Sequence, residues 1–106
     1  MEKEKYLIEN IFKELKNLND GFDVKTIWYF SESDFEIVLN RIDELGLGIY
    51  GIEPWINGEY FDVKSCEEYG LKSSNSNWYR KAFNEFKSTG EKLLYAATYD
   101  LTKISY

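Results

Sequence analysis

Four side chains in one short stretch carry most of the chemistry this sequence offers: Glu53, Trp55, Tyr60 and Asp62, within GIEPWINGEYFDV, residues 51–63. Asn57-Gly58 sits between two apolar, aromatic runs, and both residues accept the positive φ that a tight hairpin turn demands. A two-residue loop pairs Ile56 with Glu59, Trp55 with Tyr60, Pro54 with Phe61, Glu53 with Asp62 and Ile52 with Val63. One face then carries Ile52, Pro54, Ile56, Phe61 and Val63, and the other carries Trp55, Tyr60, Glu53 and Asp62. Two carboxylates directly opposite each other repel, so this face invites a cation, an arginine or a lysine between them. Two chemistries fit that outline. One is a carboxylate pair for acid-base or glycosidase-type work on a small ligand. The other is a protein interface in which Trp and Tyr anchor a basic partner. A three-residue loop would spare Pro54 from a donor position it cannot fill, but it puts Glu53 beside Phe61 and mixes the faces, so the two-residue register is preferred.

The rest of the chain supplies no catalytic kit. There is no histidine among the 106 residues, which removes the commonest general base and the commonest metal ligand. The single cysteine, Cys66, stands beside Glu67 and Glu68, which disfavour a thiolate, and reads as a structural thiol. No run of oxygen ligands has the spacing of a calcium loop. The expected inventory is therefore no catalytic residue, no metal and no cofactor. Gly46 to Gly51 spells G-x-G-x-x-G, but it follows a helix and enters a strand. Dinucleotide binding needs the reverse order, so these glycines are assigned to a helix end and a close backbone approach.

Nineteen acidic against thirteen basic residues give a net charge of −6, which repels nucleic acid and anionic membranes and attracts basic partners. Aromatic residues make up 18% of the chain, more than a core of this size calls for. With no apolar N-terminal segment, no long apolar run and one cysteine, the expectation is a cytoplasmic protein, a single domain over 1–106.

The elements that would position the hairpin follow from periodicity. Glu2 to Asn19 has a helical apolar stripe, stopped by Asn19-Asp20-Gly21. Val24 to Phe30, VKTIWYF, reads as a central strand. Ser33 with Glu36 matches a capping box, opening a helix whose stripe is Phe35, Val38, Leu39, Ile42 and Leu45 and which Gly46 ends. Residues 65–77 read as loop. Asn77 to Ser88 places Tyr79, Ala82, Phe83 and Phe86 on one helical face, and Lys92 to Leu101 is the last strand. The order is a helix followed by β-α-β-β-α-β, an α+β ferredoxin-like plan with an antiparallel sheet, helices on one face and the second strand at an edge. Glu36, Asp43 and Glu44 of the second helix add to the acidic surface, so the candidate partner-binding set is Glu53, Trp55, Tyr60, Asp62, Glu36, Asp43 and Glu44.

The segment FEIVLNRIDELGLGIYGIEPWINGEYFDV, with NWYRKAFNEF and LLYAATYDL, resembles small bacterial immunity proteins of polymorphic-toxin and contact-dependent growth-inhibition systems, across residues 30–101. That resemblance implies a cytosolic inhibitor that binds one toxin domain, often a nuclease, and blocks its active site or substrate surface. It carries over no functional residue, so the interface set rests on the physical reading. The competing class is a small-ligand or enzymatic domain built on the same sheet around Glu53 and Asp62.

Overall fold

The structure, a computed structural model, describes residues 2–104. A short helix α1, Glu2–Tyr6, runs into a π-helical turn, Leu7–Ile11. A long irregular segment leads to α2, Glu32–Glu44, then β1, Gly48–Ile56, and the short returning strands β2, Glu59–Tyr60, and β3, Lys64–Ser65. A 3-10 turn at Cys66–Tyr69 precedes α3, Ser76–Lys87, and β4, Leu94–Asp100. The molecule is thus α+β with a four-stranded antiparallel sheet.

Strand β1 is the axis of this sheet. It pairs along most of its length with β4, and its other edge takes β2 near the turn and β3 further back. From Gly48 onward the expected β-β-α-β order is met in part, with the returning strand broken into β2 and β3. Two departures remain: the second expected strand is central rather than at an edge, and the first expected strand is missing. Of Val24 to Phe30 only Phe30 meets the sheet, through one antiparallel bridge to Tyr95 made by reciprocal 2.8 Å bonds. Local side-chain bonds outcompete the β propensity of this run. The Asn19 amide donates to the carbonyls of Val24 and Ile27 at 2.9 Å each, and the Ile27 N–H turns back to Val24 O at 3.0 Å.

The N-terminal helix also ends well before Asn19. Arg41 of α2 reaches across to donate one guanidinium nitrogen to Ile11 O at 2.9 Å and Lys13 O at 2.7 Å. These are carbonyls that the end of a helix leaves unpaired, so a tertiary contact caps the helix there. Glu14 follows with φ +66, which no helix can absorb.

Helix α2 starts at Ser31, whose hydroxyl accepts the Asp34 N–H at 3.3 Å, two residues earlier than the expected Ser33 cap. Phe35, Val38, Leu39 and Ile42 are fully buried, whereas Leu45, expected on the same stripe, is 50% exposed just before the left-handed Gly46. Helix α3 buries Trp78 as well as Tyr79, Ala82, Phe83 and Phe86. Both helices close on Tyr95 of β4: Phe35 stacks on its ring at 5.1 Å and Phe83 meets it edge-on at 5.1 Å. Gly48 performs the close approach expected of it, since a Cβ there would lie 2.8 Å from the Ser73 carbonyl carbon, and the Ile49 N–H donates to Ser73 O at 3.0 Å.

Candidate partner-binding surface

The hairpin turns at Asn57 and Gly58, with φ +51 and +75, and pairs Trp55 with Tyr60 and Ile56 with Glu59, the two-residue register. Beyond Tyr60 the ladder fails for the reason proline dictates. The Phe61 N–H donates to Pro54 O at 3.1 Å, but the return bond requires a Pro54 N–H that does not exist. Pairing resumes at Ile52 with Lys64 and Gly51 with Ser65, so the returning chain carries one extra residue. The expected pairs Glu53 with Asp62 and Ile52 with Val63 are therefore replaced. Val63, expected on the apolar face, turns out to be 43% exposed.

Glu53 instead lies opposite Ala96 of β4, and its carboxylate accepts the Trp55 indole N–H at 2.7 Å. Alternation along β1 turns both side chains away from the face on which Pro54 is paired with Tyr95 and covered by the helices. Their face is covered from the other side by the irregular segment. Phe22 lies 5.5 Å from the Trp55 ring and Tyr29 lies 5.7 Å from it, leaving Trp55 half-buried. The Tyr29 hydroxyl donates to Asp23 at 2.5 Å, and burial first, then this bond to a carboxylate, pushes the phenol far above its ordinary range. The sheet's second face is thus covered in part, over Trp55, by Phe22 and Tyr29 of the irregular segment, a cover that periodicity does not announce.

Asp62 and Glu68 serve the hairpin's free edge. Asp62 accepts the Val63 N–H at 2.8 Å and Glu68 accepts the Ser65 N–H at 3.0 Å, which occupies donors that an added strand would use. Lys64, the one cation of the returning chain, leans 3.8 Å from Glu85 and over the Phe86 ring. What remains outward is Tyr60, 54% exposed, and Val63, with Glu59, Asp62, Glu67 and Glu68 exposed around them. Glu36, Asp43 and Glu44 are exposed on α2, across the sheet from Glu53 and Trp55, and Asp43 is engaged by Arg80 at 3.2 Å. The seven expected interface residues are therefore divided, with Glu53, Trp55 and Tyr60 on one side of the sheet, Glu36, Asp43 and Glu44 on the helix at the other, and Asp62 at the free edge.

A cavity of about 340 Å³ opens where β1 begins and β4 ends, beside Tyr50, Cys66, Ser73, Asp100, Thr102 and Lys103. Burial alone would raise the Asp100 pKa, but bonds from the Ser73 hydroxyl and from the Thr102 hydroxyl and N–H outweigh it and hold the carboxylate at about 2. Those bonds make Asp100 a latch between the loop before α3 and the end of β4. Burial pushes the hydroxyls of Tyr79 and Tyr95 up to about 12, so both stay neutral core groups. Among the described residues no cluster of His, Cys, Asp or Glu has metal-binding geometry, and no helix is long and apolar enough to cross a membrane.

Comparison with known proteins finds no matching family model, no similar curated protein and no similar solved structure.

Proposed function

We propose that the chain is an immunity-type inhibitor, acting in the cytoplasm without catalysis or cofactor, which binds a basic toxin domain through the hairpin and covers its active site or substrate surface. The observation that carries this reading is the exposed chain from Glu59 to Glu68, where Tyr60 and Val63 lie uncovered, Glu59, Asp62, Glu67 and Glu68 are all exposed, and the local lysine is drawn off to Glu85. An anionic surface of this kind speeds encounter with a cationic partner, and an exposed tyrosine supplies contact area at low entropic cost. The small-ligand reading loses its pair, because the carboxylate of Glu53 is held by Trp55 and Asp62 stands in the bulge.

The test is binding to the product of the gene immediately upstream, where a toxin gene is expected, measured by calorimetry with the wild type and with Glu59→Lys/Glu67→Lys. Neither glutamate makes a side-chain hydrogen bond or ion pair among the described residues, so the variant keeps its melting temperature while binding weakens at least about tenfold. Unchanged binding by the folded variant removes the hairpin from the interface, and a neighbour that neither binds nor is inhibited removes the immunity reading.

A further inference from the structure

Residues 18–28 form a compact loop with a narrow neck. The Leu18 N–H donates to Tyr29 O at 2.8 Å and the Tyr29 N–H donates to the Asn17 side chain at 3.1 Å, which brings the two ends together. Inside, Asn19 acts as a hub: its amide holds the carbonyls of Val24 and Ile27, and its oxygen accepts the Gly21 N–H at 3.1 Å. The loop therefore carries its own framework. Its seat on the body is small by comparison. At the neck Trp28 stacks on Phe12 at 5.1 Å; beyond it Phe22 packs on Trp55 and Tyr29, Asp23 accepts the Tyr29 hydroxyl, and the Phe22 Cβ approaches Gly58. None of residues 18–28 is fully buried, Val24 is 60% exposed, and a groove of about 440 Å³ separates the loop from the hairpin turn between Leu18, Phe22, Asn57, Gly58, Lys92 and Leu94.

We propose that residues 19–27 are a lid that swings as a unit about a neck fixed by the Leu18–Tyr29 bond and the Trp28 stack, and uncovers the part of the Trp55 indole that Phe22 covers. Beyond that neck a self-contained loop held by the Phe22 contacts with Tyr29 and Trp55 and by one hydroxyl-carboxylate bond opens at lower cost than the paired strands beneath it. Because Trp55 and Tyr60 are paired across the hairpin, opening joins the covered face to the exposed rim. The inference stands on packing alone, so it survives or fails independently of the partner proposed above.

The test uses the whole chain with Trp28→Phe, so that Trp55 and the fully buried Trp78 are the only indoles. Tyr29→Phe removes the latch hydroxyl and leaves every covering atom in place. Acrylamide quenching is expected to rise about threefold or more in that variant, with the melting transition still cooperative and hydrogen exchange in β1 and β4 unchanged. A fixed cover gives identical quenching with and without the hydroxyl, which overturns the lid. As a second measurement, spin labels at Val24→Cys and Val63→Cys in a Cys66→Ala background should show two distance populations, the longer one growing with Tyr29→Phe. A single population unchanged by the substitution overturns it as well.

Discussion

Asn19→Ala tests whether side-chain amides, and not strand pairing, order the segment between the first two helices. In the structure this residue makes three well-formed bonds, at 2.9 Å to Val24 O, 2.9 Å to Ile27 O and 3.1 Å from the Gly21 N–H, with two longer contacts to Asp23. A typical intramolecular hydrogen bond contributes about 1 kcal/mol net, and these partners lie near the surface, where water replaces part of what is lost. The expected cost is therefore about 1.5 kcal/mol rather than the sum of three full bonds. With a urea m-value of about 1.5 kcal/mol/M for a chain of this size, the unfolding midpoint falls by about 1 M. Asn19→Asp sharpens the test, because a carboxylate keeps the acceptor but turns an oxygen toward two carbonyls that need a donor. It should cost at least as much as alanine, although the two side chains match in size. A shift below about 0.3 kcal/mol in both variants, measured by urea titration with the m-value unchanged, would refute the assignment of Asn19 as the organiser.

Two further outcomes follow from contacts elsewhere. Gly48→Ala places a Cβ 2.8 Å from the Ser73 backbone, which cannot yield without breaking the Ile49 bond, so it should destabilise by about 1–3 kcal/mol in thermal melts; Gly70, left-handed with nothing within 4 Å of a Cβ, should cost only the φ strain of about 1 kcal/mol when changed to alanine. The Asp100 carboxylate has its pKa lowered from 3.8 to about 2, so its contribution to stability is complete above pH 3.8 and is lost as pH falls through 2. Since this group is only partly buried and its bonds are screened by solvent, that contribution is on the order of 1 kcal/mol, and Asp100→Asn should flatten the acid limb of a stability-pH curve between those values.

The elements read correctly from sequence are those in which local preference and tertiary demand agree. The stripe Phe35, Val38, Leu39, Ile42 buries as its period requires, and the Asn57-Gly58 turn fixes the register of Trp55 with Tyr60. The errors come where another part of the chain decides. Nothing near Ile11 in sequence announces that Arg41, thirty residues on, will cap its carbonyl. Likewise, VKTIWYF has the composition of a strand, but its backbone groups are taken by Asn17, which the sequence offers as part of a helix, and Asn19, which it offers as a helix stop. Asparagine at that spacing was the available signal, since its side chain mimics a peptide group and competes with ladders. The strand order is a consequence of the same event: once residues 24–29 leave the sheet, β1 takes the centre and β4 meets only Phe30 on its far side.

The sequence marks the hairpin as a turn between aromatic strands but does not show what each acid near it bonds to. Net charge counts Glu53, Asp62, Glu68 and Asp100 alike, but the structure gives each a different donor to satisfy: an indole, two edge N–H groups, and a set of hydroxyls. A carboxylate bonded in this way still contributes to the long-range field that draws in a cation, but it yields less in a direct contact, because its intramolecular bond must first be given up. If the chain binds a cationic partner as proposed, long-range steering and short-range recognition fall to different acids of this surface. The bonded acids would then set the field, whereas Glu59, Glu67, Tyr60 and Val63 are the exposed side chains left for contact. Pro54 is the cause of this division. By ending the ladder at Tyr60 it forces the extra residue that turns Val63 out and places Asp62 against the edge, so the one proline in the sequence shapes the surface without belonging to it.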